Sequence, residues 1–283
     1  MGIVATMGPR IACCNHKGGV GKTTCVVNVA AGLVRLGWRV LVVDADPQAH
    51  LTASLGLTVA AGGGLAGVLS GALPAARALV EEAGLAVLPA SPALAASESE
   101  LSRRQAPADL LEGMLADLSG FDAVFFDCPP HLGPLCRQVL RAANDIVVPM
   151  TPDFLAMQSL AWLMETLAGL SDGPSPRLPV LGIVLNRYDH RKRLHREVRE
   201  TVGGHFPGLP FAAFIRENVA LAEAPSHGQD IFRYAPASAG AKDFTALCRE
   251  MTARLSAKSG STYGRKTAGG PPWQPNRDLA ETP

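Results

Sequence analysis

No stretch of this sequence approaches the ~20 consecutive apolar residues that a membrane-crossing helix needs, and its opening, MGIVATMGPR, lacks the apolar core of a secretory leader. The expectation is a cytoplasmic protein with no stable membrane association. Net charge is scarce as well. The 26 Lys and Arg against 25 Asp and Glu leave +1, which excludes a globally basic nucleic-acid binder and confines any such activity to a local patch. Six cysteines, at 13, 14, 25, 128, 136 and 248, form no C-x-x-C pair, and several lie inside apolar runs. They read as reduced, buried small hydrophobes rather than disulfides, metal ligands or an iron–sulfur site. No internal repeat is visible. At 283 residues the chain can bury a full core without staples.

What is present is a series of short apolar runs: IACC (11 to 14), VLVVDAD (40 to 46), LAVLPA (85 to 90), AVFFD (123 to 127), DIVVPM (145 to 150) and VLGIVLN (180 to 186). Continuous rather than alternating, they read as strands buried on both faces. Between the first two, TTCVVNVAAGLVRLG sets Val26, Val29, Ala30 and Leu33 at helical spacing, and Gly37 supplies the stop. Strand, helix and strand make a parallel unit. The alternation runs to about residue 255, which predicts one α/β domain over 1–255: a mostly parallel, twisted sheet with helices on both faces. Residues 59 to 84, rich in Ala and Gly, carry no clear pattern. From 256 to 283 the Gly, Pro and Ser content leaves too little apolar surface to offset ordering, and the expectation is a disordered tail.

The chemistry concentrates after the first strand, in CCNHKGGVGKTTCVV. A phosphate-binding loop of the form G-x-x-x-x-G-K-[ST] takes Gly21, Lys22 and Thr23, but where it asks for its first glycine stands His16, and a second lysine, Lys17, lies upstream. Gly18, Gly19, Val20 and Gly21 can turn backbone N–H groups toward phosphate oxygens, and the following helix adds its N-terminal dipole. Lys22 is placed to bridge the β- and γ-phosphates, Thr23 to ligate Mg²⁺, and Thr24 to lie near the α-phosphate. A dinucleotide G-x-G-x-x-G fits poorly, since Thr24 occupies the third glycine position. Asp127 ends AVFFD, where a strand-terminal carboxylate can hold the metal directly or through water. Asp44 and Asp46 end the neighbouring run, and either could orient an attacking water; Asp44 is preferred because Asp46, before Pro47, also reads as a turn former.

The sequence KGGVGKTT with Lys17 ahead of it, then VVDADPQ, then FDAVFFDCPP, closely resembles the deviant Walker A ATPases, the P-loop family that includes ParA and MinD. The resemblance covers about residues 10 to 252. It is strongest for the ParA/Soj partitioning group, through LAVLPASPALAASESEL, ANDIVVPMTPDFLAMQSL and NVALAEAPSHGQDI. It implies ATP and Mg²⁺ as cofactors and gives the extra lysine a role, since Lys17 matches a residue that reaches across an ATP-dependent homodimer to the nucleotide of the other subunit. It matches Asn186 to a position that contacts adenine. It also implies nonspecific DNA binding on the nucleoid and a ParB-like protein that stimulates slow hydrolysis.

Residues 187 to 199, RYDHRKRLHREVR, carry six basic side chains against two acidic, a local excess of +4 suited to phosphates without base readout. The resemblance places DNA-binding arginines here and near 216 to 220. Relatives commonly read Pro-Arg-Asn-Val-Arg where this chain has Arg216-Glu217-Asn218-Val219-Ala220, so two arginines are replaced and the expectation rests on Arg191, Lys192, Arg193 and Arg216. The competing expectation is a MinD-like spatial switch on a membrane or protein surface. Such a switch needs a C-terminal amphipathic helix, and GPPWQPNRDLAETP does not supply one.

Overall fold

The computed structural model describes residues 8–169 and 179–259. Within them, seven strands form one sheet in the order β3-β4-β2-β5-β1-β6-β7: β1 (Arg10–Cys13), β2 (Val40–Asp44), β3 (Val80–Glu82), β4 (Leu85–Leu88), β5 (Ala123–Asp127), β6 (Asp145–Met150) and β7 (Val180–Leu185). Every pairing is parallel except β3 with β4. The β2, β4, β5 and β6 side chains are buried throughout, which is why their sequences are unbroken apolar runs.

Alternate residues of each strand enter two separate cores. Ile11, Cys13, Val40, Val42 and Phe125 pack with the helix α1 (Lys22–Arg35) and with Phe244 and Leu247 of the Ala239–Ser259 helix. Ala12, Cys14, Leu41, Val43, Val124 and Phe126 face the other way, against the Pro134–Ala142 and Phe154–Gly169 helices. Parallel register then fixes the site. Cys13 pairs with Asp127 and Asp44 pairs with Asp127, so β1, β5 and β2 end at one level, with the acidic ends of β5 and β2 side by side.

Each expected strand is present, AVFFD and DIVVPM at their expected bounds and the others with one or both ends shifted by a residue or two. VLVVDAD stops at Asp44, where the Ala45 N–H still donates to Asp127 O but the Asp46 N–H turns back to the Asp44 carboxylate, and LAVLPA stops at Leu88, ahead of Pro89. The unpatterned stretch holds two short helices, Gly64–Leu69 and Ala75–Ala78, and the edge strand β3. Val-Glu-Glu has no apolar run to signal a strand, and at an antiparallel edge it needs none. Beyond residue 255, where sequence alone ended the domain, the last helix continues to Ser259, and Lys258 Nζ pairs with Asp145. The rest of the expected tail lies outside the described residues.

Candidate nucleotide site

The loop between β1 and α1 is shaped by two glycines in the left-handed region, Gly19 at φ 73° and Gly21 at φ 89°. Gly21 is doubly constrained, since a Cβ there would come 2.8 Å from Asn186 Nδ2. It is also the N-cap of α1 and provides no side-chain acceptor, so the helix presents its first N–H groups unsatisfied by any cap. Lys22 is buried, and its Nζ donates to the carbonyls of Asn15 (3.2 Å) and Lys17 (3.4 Å). The ammonium is thus folded into the loop it serves.

Thr23 Oγ1 donates to Asp127 Oδ2 at 2.7 Å, joining the first turn of α1 to the end of β5. The other oxygen, Asp127 Oδ1, is buried with no hydrogen-bond partner among the described residues. An acceptor orphaned in this way, beside a hydroxyl and a second carboxylate, fits a divalent cation. Burial first, and then the negative charge of neighbouring Asp44, push the Asp127 carboxyl well above the usual carboxylate range.

Asp44 and Asp46 separate in role. Asp44 is wholly buried: its Oδ2 accepts from the Thr52 N–H (2.9 Å) and Thr52 Oγ1 (2.7 Å), and its Oδ1 from the Asp46 N–H (3.2 Å). It ties the end of β2 to the helix α2 (His50–Ser54). Asp46 makes the turn the sequence allows, its Oδ1 accepting from the Gln48 N–H at 2.9 Å. Burial, only partly offset by the Thr52 hydrogen bonds, raises the Asp44 carboxyl to about 6 from 3.8. The folded state therefore holds a proton that the unfolded chain releases. Stability falls as pH rises from about 4 to about 6, by up to about 3 kcal/mol. Thermal melts of the metal-free protein should show this slope in wild type and a shallower one in Asp44→Asn, where the buried Asp127 still contributes; an unchanged slope would assign it elsewhere.

Lys17 does not reach into its own site. Its Nζ bridges both Asp153 oxygens at 2.8 Å, while its N–H donates to Asn15 Oδ1. Asn15 in turn donates to Pro149 O and accepts from Ser159 Oγ, locking the loop to β6 and the Phe154–Gly169 helix. Asp153 also accepts from Thr151 Oγ1 and from the Ala156 N–H, so it is fixed in place and Lys17 comes to it. Sequence reasoning missed Asp153; only the β6 carboxyl edge brings it opposite Lys17.

The Asn186 carboxamide, which the sequence resemblance gives to adenine, has another partner here: its Nδ2 donates to Val20 O at 2.6 Å and braces the glycine loop. The basic segment is assembled at the end of β7, where Tyr188 N–H donates to Ile215 O and sets Arg216 beside it. Arg191 pairs with Asp189, Arg193 with Glu197 and Arg216 with Asp243. Lys192 is exposed and joins no ion pair among the described residues.

Comparison with known proteins agrees with this architecture. The AAA domain family matches residues 8–179, more than half of the chain. The chain is 42% identical over 246 residues to the chromosome-partitioning ATPase Soj of Thermus thermophilus, covering 87% of this chain and 96% of that one. It is 37% identical over 251 residues to the chromosome partitioning protein ParA of Caulobacter vibrioides, covering 86% and 94%. Among solved structures, cobyrinic acid a,c-diamide synthase from Mycobacterium smegmatis with a bound ATP analogue and magnesium superposes with a TM-score of 0.76 at 33% identity, covering 90% and 97%. On these likenesses, and on a glycine loop with an extra lysine beside a hydrogen-bonded Thr23–Asp127 pair, the chain belongs to the ParA/Soj family of partitioning ATPases.

Proposed function

We propose that this ATPase closes into a homodimer around two ATP molecules, that the closed dimer holds DNA without sequence preference, and that a ParB-like protein stimulates hydrolysis to release it. The observation that carries this reading is the position of Lys17. A cation at the rim of a P-loop, held outside its own site by a partly exposed ion pair, is free to serve a second nucleotide. The side chains of Lys17 and Asp153 are 31% and 38% exposed, and pairs of that kind contribute only about 0–1 kcal/mol. A γ-phosphate presented by another chain can take Lys17 at little cost.

Within one chain, the Gly18–Gly21 backbone and the uncapped start of α1 would hold the phosphates, with Thr24 toward the α-phosphate and Lys22 on the β- and γ-oxygens. Thr23 and Asp127 would hold Mg²⁺, which when bound neutralises charge on the β- and γ-phosphates. Asp46, nearly buried but with only Oδ1 engaged in a hydrogen bond, would orient the attacking water, while Asp44 fixes the segment that carries it. An adenine contact by Asn186 would share that carboxamide with its bond to Val20. Identity is higher to the partitioning ATPases than to the synthetase, so partitioning is preferred over amide synthesis.

The DNA surface would be Arg191, Lys192, Arg193 and Arg216. Exposed pairs such as Arg191–Asp189 are weak enough for a phosphate to displace the carboxylate. If all four reach phosphates, retention on nonspecific duplex with ATP should fall with salt at a log–log slope of about −3.6, and Lys192→Ala should shrink it by about 1. A second reading, a switch acting on a membrane or protein surface, gains support from the carboxylates that already occupy three of these four side chains. Anionic liposomes separate the two: ATP-dependent retention on liposomes but not on DNA would replace the first reading with the second. No helix among the described residues is long and apolar enough to cross a membrane.

A further inference from the structure

Lys17 is followed by two glycines that pack against nothing: a Cβ at Gly18 or Gly19 would meet no atom within 4 Å. A lysine on so open a loop has no steric reason to leave its own nucleotide site, and its ion pair with Asp153 is partly exposed. Its direction is set through the backbone instead. The Lys17 N–H donates to Asn15 Oδ1 at 3.1 Å, closing the turn that an Asn side chain makes with the residue two further on. The Lys17 carbonyl accepts from Lys22 Nζ at 3.4 Å. Both polar groups of the Lys17 backbone are thus spent on buried partners, and the outward side is left for the side chain.

Asn15 can dictate this turn because it is itself fixed. It is 1% exposed, its Nδ2 donates to Pro149 O at 2.7 Å, and the second lone pair of Oδ1 takes Ser159 Oγ at 3.1 Å. Pro149 belongs to β6 and Ser159 to the Phe154–Gly169 helix, so the carboxamide ties Lys17 to the two elements that bracket Asp153. We propose that Asn15 is a positioning residue for hydrolysis, whose turn aims Lys17 out of its own site and toward a second chain. The proposal rests on the crossing role given to Lys17 above. It separates two neighbours of one lysine: Asp153 holds the ammonium back, and Asn15 gives it its heading. Without the turn, the Gly18–Gly19 hinge lets Lys17 fold onto the γ-phosphate of its own ATP, where a charge-assisted bond forms. The partner's nucleotide then loses it.

Asn15→Ala should therefore move two measurements in opposite directions. ATP affinity of the dilute, unpaired chain, read by fluorescence, should rise about two- to tenfold. ATP-dependent pairing, read by light scattering, should fall about tenfold, the scale of one lost internal hydrogen bond. The gain in affinity should vanish when Lys17→Ala is added. Asn15→Ser, whose hydroxyl can close a similar turn, should restore most of the pairing. Asp153→Asn also loosens the lysine but should raise pairing, so the two substitutions differ in sign. The milder Ser159→Ala, which frees the carboxamide from one partner, should repeat the Asn15→Ala signs at smaller size, and it carries the test if Asn15→Ala does not fold. A loop that was merely slackened would lose ATP affinity and pairing together, with or without Lys17. That result, or pairing by Asn15→Ala at the wild-type level, would overturn the proposal. Pairing by Lys17→Ala alone would instead overturn the crossing role beneath it.

Discussion

Lys17→Ala is expected to bind ATP nearly as well as wild type, to lose ATP-dependent pairing of two chains, and to hydrolyse ATP slower by on the order of 10³-fold, the scale of a cationic finger supplied in trans. Binding should survive because Lys22, the glycine backbone and the start of α1 would contact phosphate from within the chain, and none of them leans on the Lys17 side chain; Lys22 Nζ uses only the Lys17 backbone carbonyl. Pairing fails because Lys17 is the one P-loop cation directed away from its own phosphates, onto Asp153. Asp153→Asn should act in the opposite sense. The amide still accepts from the Ala156 N–H and keeps the helix start, but it no longer holds Lys17 by charge, so ATP-dependent dimer should increase roughly two- to fivefold, the worth of a half-exposed pair. Nucleotide affinity by fluorescence and mass by light scattering separate the two effects. If Lys17→Ala still dimerises with ATP, the lysine serves its own site or none, and the crossing role is wrong.

Much of this site is legible in sequence because its parts sit at strand ends. Asp44 and Asp127 follow unbroken apolar runs, and two buried parallel strands ending in acid place both carboxylates on one edge. The Thr23–Asp127 bond follows from the same logic. What sequence could not supply depends on register and on faces. Asp153 is remote from Lys17 along the chain, and its approach depends on β6 lying next to β1. The Asn186 brace arises because β7 delivers a carboxamide to a spot left open by Gly21 having no Cβ. The cysteines show this most sharply. Read singly, each is a small hydrophobe in an apolar run, and that remains true of Cys25 and Cys248. Only the parity of β1 and β5, together with the helix laid over them, turns Cys14, Cys128 and Cys136 to one point. The edge strand β3 was invisible for the contrary reason: it buries too little to need a hydrophobic pattern.

The division between Asp44 and Asp46 leads to the other large effect. A carboxylate that orients an attacking water must keep an acceptor oxygen within reach of solvent. Asp44 has no such oxygen, since Thr52 takes one twice and the Asp46 N–H takes the other, all in a wholly buried position. Asp46 uses only Oδ1, for the Gln48 N–H, and is 7% exposed. Asp46→Asn keeps the turn, because an amide oxygen can accept the same N–H. It should bind ATP and dimerise, yet hydrolyse slower by on the order of 10²- to 10³-fold, so that dimers accumulate. Asp44→Asn instead replaces an acceptor with a donor facing Thr52 N–H and Oγ1. Its expected signature is lost stability of the β2 edge, of about 1–3 kcal/mol for the unsatisfied groups, with a smaller loss of turnover in whatever fraction stays folded. Single-turnover hydrolysis by folded, ATP-saturated protein makes the comparison direct. A larger chemical defect in Asp44→Asn than in Asp46→Asn would return the water to Asp44 and reduce Asp46 to its turn.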